Sequence, residues 1–117
     1  YFKLEYRDPG NLHLIRPIAW CYFALNDAEK AGVYFEKVMH SGQTPGYYDY
    51  VNYGHVKWAQ GKRKEAIDLY ITALQDPSYD TVRLLKTVEE DKPLLIKNGV
   101  TASDIPLMLD YLHYKLK

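Results

Sequence analysis

The chain has 117 residues, enough for one structural unit with a modest core. Its 15 Lys and Arg are balanced by 15 Asp and Glu, so it carries no long-range basic field for nucleic acid or for an anionic membrane surface. The single cysteine, Cys21, excludes an internal disulfide and a thiolate pair for zinc or redox chemistry, and no apolar run approaches the roughly 18–20 residues that span a bilayer.

The chain opens with Tyr1-Phe2-Lys3-Leu4-Glu5-Tyr6-Arg7, which lacks the basic-then-apolar order of a secretory signal and begins with Tyr rather than Met. We read it as a soluble, cytoplasmic piece of a longer protein. Asp8-Pro9 closes this segment and recurs as Asp76-Pro77, a separation of 68 residues, or twice 34. Self-similarity at such a period is the signature of a repeat architecture.

From Asn11, a helix cap, the residues Ile15, Ile18, Ala19 and Tyr22 fall at helical spacing. Pro17 removes a donor inside that stretch, which predicts a helix that is kinked there or begins near Arg16. Asn26-Asp27 marks a turn, and Ala31, Phe35, Val38 and Met39 resume the spacing on a second helix. Sliding the chain by 35 superposes Ile15 on Tyr50, Ile18 on Tyr53, Ala19 on Gly54, Asn26 on Gly61, Ala31 on Ala66 and Phe35 on Tyr70. The second unit therefore predicts the same helix pair, with its turn at Gly61-Lys62. Small residues at Ala19, Gly54, Ala31 and Ala66 let the paired backbones approach, and Phe35 and Tyr70 fill the next gap.

After Pro77 the pattern changes. Asp80 to Asp91 predicts a helix with Val82, Leu85 and Val88 on one side. Lys92-Pro93 breaks or kinks it, Leu94 to Lys97 make at most a short turn or two, and Asn98-Gly99 is a helix stop. A last helix is capped by Thr101 or Ser103, tolerates Pro106 in its first turn, and carries the stripe Ile105, Met108, Leu109, Leu112 and Leu116. It serves either as a cap over the end of the stack or as a docking helix for another chain or a second copy.

The order Gly54, Gly61, Ala66, Tyr70, Ala73-Leu74 and Asp76-Pro77 resembles the tetratricopeptide repeat, with Lys57 standing where that family prefers an aromatic. Around Arg16-Pro17-Ile18-Ala19-Trp20-Cys21 and in the C-terminal segment the chain also resembles bacterial proteins of that type. The resemblance implies an all-α, right-handed superhelical solenoid of antiparallel helix pairs with C-terminal capping helices. Its parts are residues 1–10 as the end of a preceding repeat, 12–45 and 47–80 as full repeats, and 81–117 as a degenerate repeat with the cap. It implies a non-catalytic scaffold that binds a protein or peptide on its concave face and uses no cofactor.

The family's groove places carry over to His13, Arg16, Trp20 and Phe23, to Tyr48, Val51, His55 and Trp58, and to Arg83, Lys86 and Glu90 on the third helix. Arg16, Asn52 and Arg83 stand at three places where some family members clamp a peptide carboxylate, but Trp20 and Thr87 break that pattern. Trp20 and Trp58 either face the groove or pack between helices. Such an aromatic and basic set suits an extended or helical peptide with an acidic end.

The remaining chemistry is sparse. His13, His40, His55 and His113 have no second ligand at a metal-site spacing, and no nucleophile elbow or phosphate-cradling glycine run is present. Glu89-Glu90-Asp91 and Lys62-Arg63-Lys64 read as solvated charge clusters. Twelve tyrosines, with Tyr47, Tyr48, Tyr50 and Tyr53 close together, are the informative excess. Repeat position assigns Tyr50 and Tyr53 to the core and leaves Tyr47 and Tyr48 for the surface. Self-association through the terminal helices is the alternative role.

Overall fold

The computed structural model describes residues 12–115, with side chains from residue 14 onward. The fragment 1–10, the cap Asn11, the side chain of His13 and Leu116 lie outside the described residues. The described residues form seven helices and no strand: α1 (Leu12–Ala24), α2 (Ala28–Met39), α3 (Tyr47–Ala59), α4 (Arg63–Ala73), α5 (Thr81–Glu90), α6 (Lys92–Lys97) and α7 (Asp104–Lys115).

α1 packs on α2, α3 packs on α4, and α2 joins the two pairs by packing on α3. Both pairs turn through the same backbone geometry. Asn26 and Gly61, 35 residues apart, hold positive φ angles of 63° and 80°. Asp27 N–H donates to Tyr22 O, and Lys62 N–H donates to Lys57 O, each at 2.9 Å. These bonds satisfy carbonyls that the last helical turn leaves unpaired, and glycine or asparagine is the residue that tolerates the required φ. Asp27 then caps α2 by accepting from Lys30 N–H at 3.1 Å.

α1 runs from Leu12 through Pro17 to Ala24 as one helix, so it does not begin near Arg16. The inward side of α5 also differs from the expected one. Val82 is 73 % exposed, while Leu84, Thr87 and Val88 are buried. Thr87 is tolerated there because its hydroxyl donates to Arg83 O at 2.8 Å, so that hydroxyl is not left bare. Asp91 ends α5 and starts α6, and Gly99, at φ 104°, ends α6 with Val100 N–H donating to Leu95 O.

α5, α6 and α7 do more than cover the end of the second helix pair. Leu84, Val88, Leu95, Ile105, Met108 and Leu112 join one continuous core with Phe23 of α1, Phe35 of α2, Val51 of α3 and Tyr70 of α4. The described chain measures 44 × 30 × 21 Å.

Candidate functional site

The face expected to bind a partner is split in two, and its C-terminal half is closed by the chain itself. Phe23, Val51 and His55 are fully buried and Trp58 is 4 % exposed. Phe23, Val51 and His55 therefore do not line an accessible groove, contrary to the expectation from the resemblance, and of its two expected places Trp58 takes the packed one. The polar groups along this seam are tied to the returning C-terminal segment. Asn98 Nδ2 donates to Phe23 O at 2.8 Å, and Lys97 Nζ donates to Ala24 O at 2.8 Å, which satisfies the last carbonyls of α1. Trp58 Nε1 donates to Asp104 Oδ2 at 3.0 Å, and Arg63 donates to Asp104 Oδ1. The Arg63 bond, and then the Trp58 bond, hold the Asp104 carboxyl below the usual carboxylate range.

Displacing this segment is not a small motion. Each of its buried aliphatic side chains is worth about 1.5–3 kcal/mol, and six of them together match a domain's whole stability of about 5–15 kcal/mol. The seam is part of the folded core and does not serve as a lid.

His55 is the centre of a buried polar chain. Its Nε2 lies 2.9 Å from Asp91 Oδ2 and its Nδ1 lies 2.6 Å from the Tyr70 hydroxyl. A carboxylate only accepts, so Nε2–H donates to Asp91, while Nδ1 shares a hydrogen bond with the Tyr70 hydroxyl. Burial, and then the Asp91 charge, push the Tyr70 hydroxyl well above the usual tyrosine range. A base held by a carboxylate resembles catalytic machinery, but His55 and Tyr70 are both sealed from solvent, so no substrate atom reaches them.

The N-terminal half of the same face stays open. Arg16, Trp20 and Asn52 are half-buried, and Tyr48, Arg83 and Lys86 are exposed. Arg16 and Trp20 lie one turn apart on α1, as do Tyr48 and Asn52 on α3 and Arg83 and Lys86 on α5. Arg83 donates to the Tyr48 hydroxyl at 3.0 Å, which ties α5 to α3. Tyr48 meets Tyr47 edge-on at 4.9 Å, and Tyr47 stacks on Tyr79 at 3.8 Å. Tyr47 is thereby buried, against the expectation that it would face solvent. Trp20 packs against the Phe23 ring at 5.9 Å and keeps part of its surface open.

Arg16 is held by a residue that the sequence reading missed. Its Nε and a terminal nitrogen donate to the two Asp49 oxygens at 2.7 and 2.9 Å, and this pairing raises the Arg16 pKa further. Asp49 also accepts from Gly46 N–H at 2.8 Å, capping α3. The signal was present in sequence: an acid three residues into a helix that follows a glycine. For a carboxylate clamp the consequence is direct, because an internal carboxylate already sits on Arg16.

Among the described residues no group of three His, Cys, Asp or Glu side chains is placed to hold a metal, and no helix is long and apolar enough to cross a membrane. His40 is exposed beside Glu36 at 2.7 Å, and His113 is exposed on α7. No family model, no curated protein and no solved structure matches the chain.

Proposed function

We propose that the chain is a non-catalytic binding module, a short solenoid of tetratricopeptide-like helix pairs, that takes a peptide across the open sides of α1, α3 and α5. The observation that carries this reading is the solvent access of Arg16, Trp20, Tyr48, Asn52, Arg83 and Lys86 on those three helices, linked by the Arg16–Asp49 and Arg83–Tyr48 bonds. The surface offers two aromatic side chains for apolar anchors. It also carries cations, of which Arg83 and Lys86 are exposed, and these favour an acidic residue in the ligand.

Selection from a displayed peptide library tests the reading. Selected peptides are expected to bind about tenfold or more weakly to Trp20→Ala and to Arg83→Glu, a loss of about 1.4 kcal/mol or more, with helical circular dichroism unchanged. They are also expected to weaken as salt rises. A library that yields no binder, or binders indifferent to both substitutions, overturns it.

A further inference from the structure

A recess of about 660 Å³ opens between α4 and α7, away from the first-helix surface. Its corner is pinned where Arg63 and Asp104, in the first turns of the two helices, are bonded. Ile71 and Lys115, near the far ends, still line the same recess, so the helices leave that corner in similar directions. The floor is apolar, with Ile67 and Met108. The ridge beside it is apolar too: Leu107, Tyr111 and Tyr114 are 65 %, 45 % and 73 % exposed.

Those three ridge residues recur at i, i+4 and i+7, which makes one stripe along α7. The helix thus has two apolar faces. Ile105, Met108 and Leu112 are buried in the core, and the second stripe has no cover among the described residues. A continuous apolar patch of this kind, beside a recess of matching character, marks an interaction surface.

We propose that the occupant is a second copy of this chain, with α7 of each copy laid antiparallel along the other's recess to make a four-helix arrangement of two α4 and two α7 helices. The surface is then self-complementary, as a two-fold interface requires. The charges on the recess decide between this occupant and an acidic or basic partner. Asp104 is already taken by Arg63 and Trp58, which leaves Lys64 and Lys115 against Asp68, a mixed set with no strong sign to attract one charge class. With 15 positive and 15 negative side chains the copies do not repel one another overall.

The mixed signs also match under the two-fold operation. Centred on Tyr111, two antiparallel copies of α7 set Leu107 opposite the second copy's Lys115, equally far from the centre. Leu107 stands about one turn from the pinned corner, level with Ile67 and Asp68 on α4. The second copy's Lys115 therefore lies over Asp68, and the apolar stripe of each copy fills the other's recess.

Light scattering of the eluting chain and sedimentation equilibrium from about 1 to 300 µM, a range that brackets a micromolar Kd, test the pairing. The mass is expected to double across that range. Leu107→Glu with Tyr114→Glu is expected to hold the chain monomeric with its helical spectrum intact, since both side chains are mostly exposed in one copy. Lys115→Asp is expected to raise the Kd about tenfold, and Lys115→Asp with Asp68→Lys to recover most of that loss. A chain that stays monomeric throughout overturns the proposal, as does a dimer that tolerates the α7 double variant or a charge swap that recovers nothing. Failure here leaves the first-helix reading standing, because Trp20 and Arg83 lie on other helices.

Discussion

The ring of Tyr70 lies over Gly54 so closely that a Cβ on Gly54 would sit 2.7 Å from Tyr70 Cε1. Tyr70 is fully buried and its hydroxyl is bonded to His55, so the ring has nowhere to withdraw. Gly54→Ala therefore sets an overpacking cost of about 1–3 kcal/mol against a helix-propensity gain of about 1 kcal/mol. A contact that short puts the cost in the upper part of its range, at about 2–3 kcal/mol, so the expected result is a net loss of roughly 1–2 kcal/mol in urea unfolding. An unchanged or higher midpoint would show that the α3–α4 contact yields more easily than its geometry implies.

The His55 chain predicts non-additive energetics. Tyr70→Phe removes the partner of His55 Nδ1 inside the core and is expected to cost about 1–3 kcal/mol. His55→Leu strands the Tyr70 hydroxyl in the same way. The double variant leaves no buried orphan between them, so its cost is expected to fall short of the two single costs added together by about 1 kcal/mol or more. Strict additivity in chemical unfolding would mean that the two groups do not depend on each other.

The helix pairs were legible because their signals are local. Asn26 and Gly61 stand where the chain needs a positive φ, and both turns close there. The inward side of α5 was not legible. Val82, Leu85 and Val88 make as regular a stripe as Leu84 and Val88 do, and only packing against the rest of the core selects the second. The closure of Phe23, His55 and Trp58 was hidden for a stronger reason. Asn98 meets Phe23 across most of the chain, and no periodicity within a helix encodes so distant a contact. The second stripe of α7 was present in sequence, but the apolar positions on its other side account for a helix equally well.

Acid titration isolates the Asp104 seam. The folded-state pKa of Asp104 lies below its ordinary value of 3.8, first through Arg63 and then through Trp58. Its contribution is therefore fully present above that ordinary value and is lost as pH falls through the lower folded value. Arg63 is more than half exposed, so solvent screening keeps the ion pair to about 1 kcal/mol or less. Asp104→Asn retains an acceptor for Trp58 and is expected to be about 0.5–1 kcal/mol less stable at neutral pH, with the deficit shrinking as pH falls below the ordinary carboxylate value. A deficit that persists unchanged in acid would mean that packing, and not charge, is what Asp104 supplies.

The Arg16–Asp49 pair predicts a rescue by a second substitution. The Asp49 side chain is 8 % exposed and that of Arg16 is 38 % exposed, so the two partners are not equivalent when one is removed. Arg16→Ala leaves a nearly buried carboxylate with only Gly46 N–H for company and is expected to cost about 1–3 kcal/mol. Asp49→Ala returns Arg16 to water and loses the cap of α3 as well, for about 1–2 kcal/mol. Replacing Asp49 by Asn in the Arg16→Ala background removes the stranded charge while keeping an oxygen that accepts from Gly46. That double variant is expected to be more stable than Arg16→Ala alone by about 1 kcal/mol, whereas Asp49→Asn in the native chain is expected to destabilise, and this change of sign marks the two sites as coupled. If urea unfolding finds no such gain, water already reaches Asp49, and the α1–α3 junction beneath the proposed peptide surface is looser than its bidentate geometry requires.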